Sequence, residues 1–291
     1  MNKIILFTFF LAIIGCASEA IKTPSASLFG SWEEPGPSSS NEVILVPQWH
    51  YSPQVNTRGL QVSLPQDKNQ KAIFEEMSSW IRSHYIKNLI VEGCEGQLAA
   101  ASDLRFNDWS LNDLNGQKNI ENAQTHIGLK ILSLSKGAIN VECGDNLALI
   151  KEHQLALSDI RGLAGYKLRL EQANLPLKNR ASFVAGAKEA LKLPKDTKED
   201  LVLKKLNEEL DTVISHFESL VSKRNDEFVK KARSLAGRKV ILIGALHIED
   251  LKSKLNEQKI PFAIWRPIGL ENGEVHLIEQ LRRQLKLPSH H

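Results

Sequence analysis

Lys239-Val240-Ile241-Leu242-Ile243-Gly244-Ala245-Leu246-His247 runs from an unbroken apolar stretch straight into a glycine and then a histidine. A short run without polar alternation reads as a strand buried on both faces. Val43-Ile44-Leu45-Val46 has the same form and ends at Pro47-Gln48-Trp49-His50. Asn88-Leu89-Ile90-Val91 ends in Glu92-Gly93-Cys94-Glu95-Gly96, and Ala138-Ile139-Asn140-Val141 ends in Glu142-Cys143-Gly144-Asp145-Asn146. Pro261-Phe262-Ala263-Ile264-Trp265 reads as a fifth strand. Between them lie helical periodicities: Asp67 to His84, with Ile73, Met77, Trp80 and Ile81 on one face, then Ile120 to Ser135. The stretch from about 150 to 236 reads as helical throughout. Buried strands alternating with helices predict an α/β fold: a mainly parallel sheet, helices on both faces, and a largely helical insertion before the last core strands. No solenoid repeat is present.

In such sheets ligands bind outside the carboxyl ends of the strands. His50, Glu92, Glu142, Asp145 and His247 all fall at or just past those ends. Two histidines at equivalent places on two strands point to metal binding or general-base chemistry. With Glu92 they would form a His₂Glu set that leaves a coordination position open for water. Glu92 has a rival role as a cap for the following loop, and so have Glu142 and Asp145. Tyr51, beside His50, is a proton donor or iron ligand on one reading and a packing residue on the other. Leu203, Leu206, Leu210, Val213, Phe217 and Leu220 step by three and four along a helix, and the stripe continues onto Arg224. A buried charge must be paired or reach a polar cavity, so Arg224 is either a structural ion pair or a site residue.

His84, His126, His153, His216 and His276 lack such context and are expected on helices or surfaces. The mixed charges from Lys188 to Glu209 read as a solvated helix face. Neither a G-x-S-x-G elbow nor a phosphate loop nor a G-x-G-x-x-G turn occurs, which argues against serine hydrolases and nucleotide enzymes.

The chain has 291 residues, 42% hydrophobic and 24% charged, with a net charge of +3. These proportions exclude a rod, a collagen and a wholly disordered chain. Thirty-seven basic residues against 34 acidic ones, without a dense basic run, argue against nucleic acid as a partner. Lys3 precedes an apolar run from Ile4 to Ile14, about a dozen residues, which is too short to span a bilayer and right for an export signal. Ile13-Ile14-Gly15-Cys16 resembles a bacterial lipobox, with Cys16 the lipidated residue. The expected organisation is a signal peptide over 1–15, lipidated Cys16 and a flexible tether over 16–41, and one domain over 42–285. Seven Ser, three Pro and two Gly between Ala17 and Ser40 underlie the tether. The expected location is the bacterial cell envelope, held by the lipid anchor. Ala17 leaves no acidic retention residue after Cys16, which favours the outer over the inner membrane. Cys94 and Cys143 remain, as a disulfide that export permits or as two buried thiols.

Val46-Pro47-Gln48-Trp49-His50 resembles the first G-x-x-H motif of the TraB/GumN/TIKI family, and Ile90-Val91-Glu92-Gly93 its strand-ending glutamate. Arg224-Asn225 and Gly244-Ala245-Leu246-His247 resemble its Arg-Asn/Asp element and second G-x-x-H motif, in the family's order across roughly Val43 to Pro267. The wider group includes erythromycin esterases and ChaN-type haem-binding lipoproteins. The resemblance implies a metal-dependent hydrolase acting on a peptide or small molecule. His50, Glu92 and His247 would hold a divalent ion (zinc, manganese or cobalt), Arg224 would be their electrostatic partner, and Tyr51, Glu142, Asp145 and Asn225 would stand behind them. Haem in place of the metal ion, or a non-catalytic binding role, are the alternatives. One departure is Pro47, where the family has glycine.

Overall fold

Ile44 and Val46 turn to one side of their strand and Val43 and Leu45 to the other, and both sides are buried. The same split runs through Val240 and Leu242 against Ile241 and Ile243, and through Leu89 and Val91 against Ile90. A sheet with two apolar faces needs a helical layer on each. The computed structural model describes residues 27–33, 36–49, 64–96, 105–106, 109–110, 138–270 and 277–288. Its strands are β1 (Gly30–Trp32), β2 (Val43–Gln48), β3 (Asn88–Val91), β4 (Arg105–Phe106), β5 (Trp109–Ser110), β6 (Asn140–Cys143), β7 (Lys239–Gly244) and β8 (Phe262–Pro267). The helices are α1 (Leu64–Arg82), α2 (Leu147–Leu170), α3 (Leu177–Ala190), α4 (Glu199–Ser234), α5 (Ile248–Glu257) and α6 (Leu277–Gln284). Six strands form one sheet in the order β1-β8-β2-β7-β3-β6, while β4 and β5 pair separately. Every neighbour pair in the large sheet is parallel except β1 with β8.

One face is covered by α1 through Ile73, Met77 and Trp80. The other is covered by Phe228, Val229 and Ala232 near the end of α4 and by Ile248, Leu251 and Leu255 of α5. Helices α2, α3 and α4 fill the crossover from β6 to β7, as the insertion over 150–236 predicts. With 36 residues, α4 is about 54 Å long. Its first half builds a separate apolar cluster with α2, α3 and α6, through residues such as Leu206, Leu210, Ile160, Ala187 and Ile278. Its second half lies on the sheet. Among the described residues no helix is long and apolar enough to cross a membrane.

The stretch expected to be a tether is not wholly one. Gly30–Trp32 forms the edge strand β1, antiparallel to β8, and Trp32 stacks on Trp80 with ring centroids 5.5 Å apart. Gly30 permits this, because a Cβ there would lie 2.4 Å from the Arg266 carbonyl oxygen and 2.5 Å from the Trp265 ring. Glu33 then pairs with Arg266. Turn-forming composition marked the segment as linker, yet two aromatic side chains, Phe29 and Trp32, pack it against the core. At the other end Leu285 and Leu287 are buried, so the fold reaches past 285. The helix expected over Ile120 to Ser135 lies outside the described residues, as does Cys16.

Pro47 has a local explanation. The β2–β8 pairing stops at Leu45 and Ile264, whereas the β2–β7 pairing continues to Gln48 and Gly244. Proline therefore falls where the strand has one neighbour, the place in a sheet that tolerates a missing N–H. Strand β6 runs two residues beyond its expected end, which puts Glu142 inside the strand and leaves Asp145 at the edge. Gly144, between them, has no room for a side chain: a Cβ would sit 2.3 Å from the Phe228 ring and 2.8 Å from Ile90 Cγ2. Gly144→Ala is therefore expected to lower the unfolding free energy by about 1–3 kcal/mol, read by urea titration. An unchanged midpoint would mean that α4 is not pressed against this turn.

Candidate functional site

Strands β2, β7, β3 and β6 run parallel, so their carboxyl ends share one edge of the sheet. Glu92 follows β3 directly and reaches across to β7, where its Oε2 accepts the Gly244 N–H at 2.9 Å. This contact is to the neighbouring strand, not to the loop that follows β3. His247 ends the 3₁₀ turn that follows β7, with its Nε2 3.8 Å from the same Glu92 oxygen. Both groups are largely buried, His247 more deeply than Glu92.

Asn225 fixes the imidazole of His247. Its Nδ2 donates to the His247 carbonyl at 3.2 Å and to Asp250 Oδ2 at 2.8 Å, which leaves Oδ1 facing His247 Nδ1 at 2.7 Å. Two acceptors on Nδ2 settle the orientation of the amide, so Oδ1 must accept and His247 Nδ1 must carry a proton. In the neutral ring the lone pair is then on Nε2, the nitrogen beside Glu92. Ser222 donates to the other Asp250 oxygen at 3.1 Å, and Asn225 itself is fully buried. The Arg224-Asn225 pair on the α4 stripe thus serves two partners at once.

Arg224 is a buried ion pair and stands at the same edge. Its Nε and Nη2 donate to the two oxygens of Asp145 at 2.8 and 2.7 Å, and Asp145 Oδ2 also accepts the Gly93 N–H at 2.8 Å. Asn146, not Asp145, caps α2: its Oδ1 accepts from the Ala148 and Leu149 N–H groups. The neighbouring carboxylate is thereby left to the arginine. Burial opposes the guanidinium charge, but the Asp145 hydrogen bonds and the charges of Asp145 and Glu92 outweigh it and raise its pKa above the ordinary arginine value. The third arm, Nη1, donates to His153 Nδ1 at 2.6 Å. His153 was expected on a helix or surface without special context. It lies on α2, but turned toward Arg224, its ring 4.3 Å from that of Phe217. Burial and then the Arg224 charge push its pKa down to about 4, against a smaller upward pull from Glu92.

Glu142 stays apart from this group: Lys231 takes its Oε2 at 2.9 Å and Asn140 its Oε1 at 3.0 Å. His50 and Tyr51 lie outside the described residues. The chain just before them is held firmly, since Asn69 Oδ1 accepts the Trp49 N–H at 2.8 Å and Gln70 Nε2 donates to the Trp49 carbonyl at 2.8 Å. Asn69 and Gln70 were not singled out from sequence. They precede Ile73 by four and three residues, on the backward extension of the apolar face of α1. Among the described residues, no group of three or more His, Cys, Asp or Glu side chains gathers as a metal site would require. Glu92 and His247 bring a carboxylate and an imidazole within 3.8 Å of each other, residue types of the kind a divalent ion takes. Comparison of the chain with protein-family models, with curated proteins and with solved structures gives no match.

Proposed function

We propose that the chain is an envelope lipoprotein and a hydrolase of amide or ester bonds, working at the carboxyl edge of the sheet. The observation that carries this reading is the pairing at the strand edge: Asn225 orients the His247 ring through Nδ1–H, which places Nε2 3.8 Å from Glu92 Oε2. A buried, oriented imidazole beside a carboxylate suits the activation of a water molecule. His247 would take the proton of that water at Nε2, while Glu92, anchored by Gly244 N–H, would orient it. Arg224 would supply a fixed positive field for the developing oxyanion, its own position being set by Asp145. The order of the motifs, which resembles that of the TraB/GumN/TIKI family, supports the same reading. In the alternative with a divalent ion, Glu92 and His247 Nε2 would instead be its ligands, with His50 as the expected third. When bound, it would lower the pKa of the attacking water and polarise the carbonyl.

The test is the metal and haem content of the full chain in detergent, by elemental analysis and absorption scan. After incubation with zinc, manganese or cobalt the wild type is expected to keep about one equivalent, and His50→Ala/His247→Ala to lose it. Hydrolysis of ester and amide probes should fall together with the metal. A Soret band on adding haem, with no divalent ion retained, would move the assignment to haem binding. Hydrolysis unchanged in the double variant would overturn the assignment of the site.

A further inference from the structure

We infer that His153 is a positioning residue of this site: its uncharged ring holds the third arm of Arg224, so that α2 and the β6 loop fix the guanidinium from two sides. The arm that works through catalysis rests on the hydrolase reading, whereas the contact itself does not. Three of the five N–H groups of Arg224 are committed, two to Asp145 and one to His153. A guanidinium can only donate, so His153 Nδ1 must accept, and the ring proton is on Nε2. That Nε2 is buried without a hydrogen-bond partner among the described residues. Phe217, two helical turns before Arg224 on α4, packs against the ring and sets its plane.

The chemical point is the choice of acceptor. A carboxylate in place of His153 would bond the arginine equally well, but would add a second paired anion and cancel its charge. Imidazole accepts without contributing charge. The charged groups around the ring are Arg224 from α4, Asp145 behind it from the β6 loop, and Glu92 from the β3 loop. With His153 neutral, the single positive charge of Arg224 acts on Glu92 as well as on Asp145. Protonation would turn the acceptor into a donor facing a donor, with like charges at 2.6 Å. Burial first, and then Arg224, hold the histidine pKa down to about 4. The unfolded chain, with its histidine near 6.5, therefore takes up this proton first as the pH falls. The stability from this contact is complete above 6.5 and is lost as the pH drops toward 4.

Full-length chain carrying ¹⁵N-histidine and ¹⁵N-arginine, in detergent, tests this by NMR. The expected result is a His153 ring neutral and protonated on Nε2 from pH 7 to 5, with Arg224 guanidinium signals that change only when that ring titrates. His153→Gln, whose amide oxygen accepts, should keep the Arg224 signals, and His153→Leu should lose them with the far-UV spectrum unchanged. A His153 that titrates near 6.5, or a His153→Leu that leaves Arg224 untouched, overturns the inference. Should His153→Leu not fold, the wild-type titration decides alone. On a hydrolysed probe, His153→Leu should lower kcat about tenfold at unchanged KM, with most of it restored in His153→Gln. A chain with these signals and no hydrolytic activity overturns the hydrolase reading and still supports the positioning role.

Discussion

Asp145→Leu is expected to cost about 3–5 kcal/mol of unfolding free energy, and adding Arg224→Met to it is expected to recover most of that loss. The carboxylate of Asp145 is fully buried and the Arg224 side chain nearly so. Asp145 accepts three hydrogen bonds, two from the guanidinium and one from Gly93. Removing it alone leaves a buried positive charge with two stranded donors and an orphaned backbone N–H. Removing both charges substitutes apolar contact for ionic contact in a place where desolvation has already cancelled much of the Coulomb gain. The measurement is a urea titration of the two singles and the double. A single-variant loss below about 1 kcal/mol would mean that water reaches the pair, and the α4 stripe would then have no buried charge to explain. A double variant that is stable yet inactive on any substrate found would separate folding from function at this edge.

Arg224 shows what kind of signal the sequence carries. Its position on an apolar stripe required either a partner or a polar cavity, and the structure supplies the partner at the strand edge. The continuous apolar runs announced the parallel sheet, because a strand covered on both faces cannot alternate. What the stripe logic did not reach, it passed over for want of a second element. His153 lies three residues after Ile150 and three before Ala156, both buried, so the periodicity of α2 already placed it on an inward face. Its partner lies 71 positions away, and no spacing rule connects them. Asn69 and Gln70 extend the α1 face in the same manner and hold a residue twenty positions upstream. Strand β1 was hidden for a different reason: turn-forming neighbours diluted it, and what binds it, the pairing with β8 and the stacking of Trp32 on Trp80, is contributed by distant segments. Glu142 and Asp145 looked alike in sequence. Two extra residues of β6 pairing put one inside the sheet, opposite Lys231, and the other at its edge.

Cys94→Ala/Cys143→Ala is expected to lose up to about 4 kcal/mol, the loop-closure value for a crosslink 49 residues apart, and to loosen the site more than the rest of the fold. Both cysteines are buried, and the structure joins them, resolving the two possibilities the sequence left open. Glu92 stands two residues before one cysteine and Asp145 two residues after the other. Backbone bonds run alongside the crosslink, from Cys143 N–H to the Gly96 carbonyl and from Gly144 N–H to the Val91 carbonyl, each at 2.8 Å. The disulfide therefore ties together the two loops that carry Glu92 and the Asp145–Arg224 pair. Breaking it removes a constraint on the unfolded chain and frees the ends of β3 and β6 at once. Hydrogen exchange separates the two effects: the Gly93 and Gly244 amides, bonded to Asp145 and Glu92, should exchange faster by more than the global loss explains. If those amides slow and quicken only with global stability, the β3–β6 pairing alone holds the loops. In that case the crosslink serves the fold and not the site.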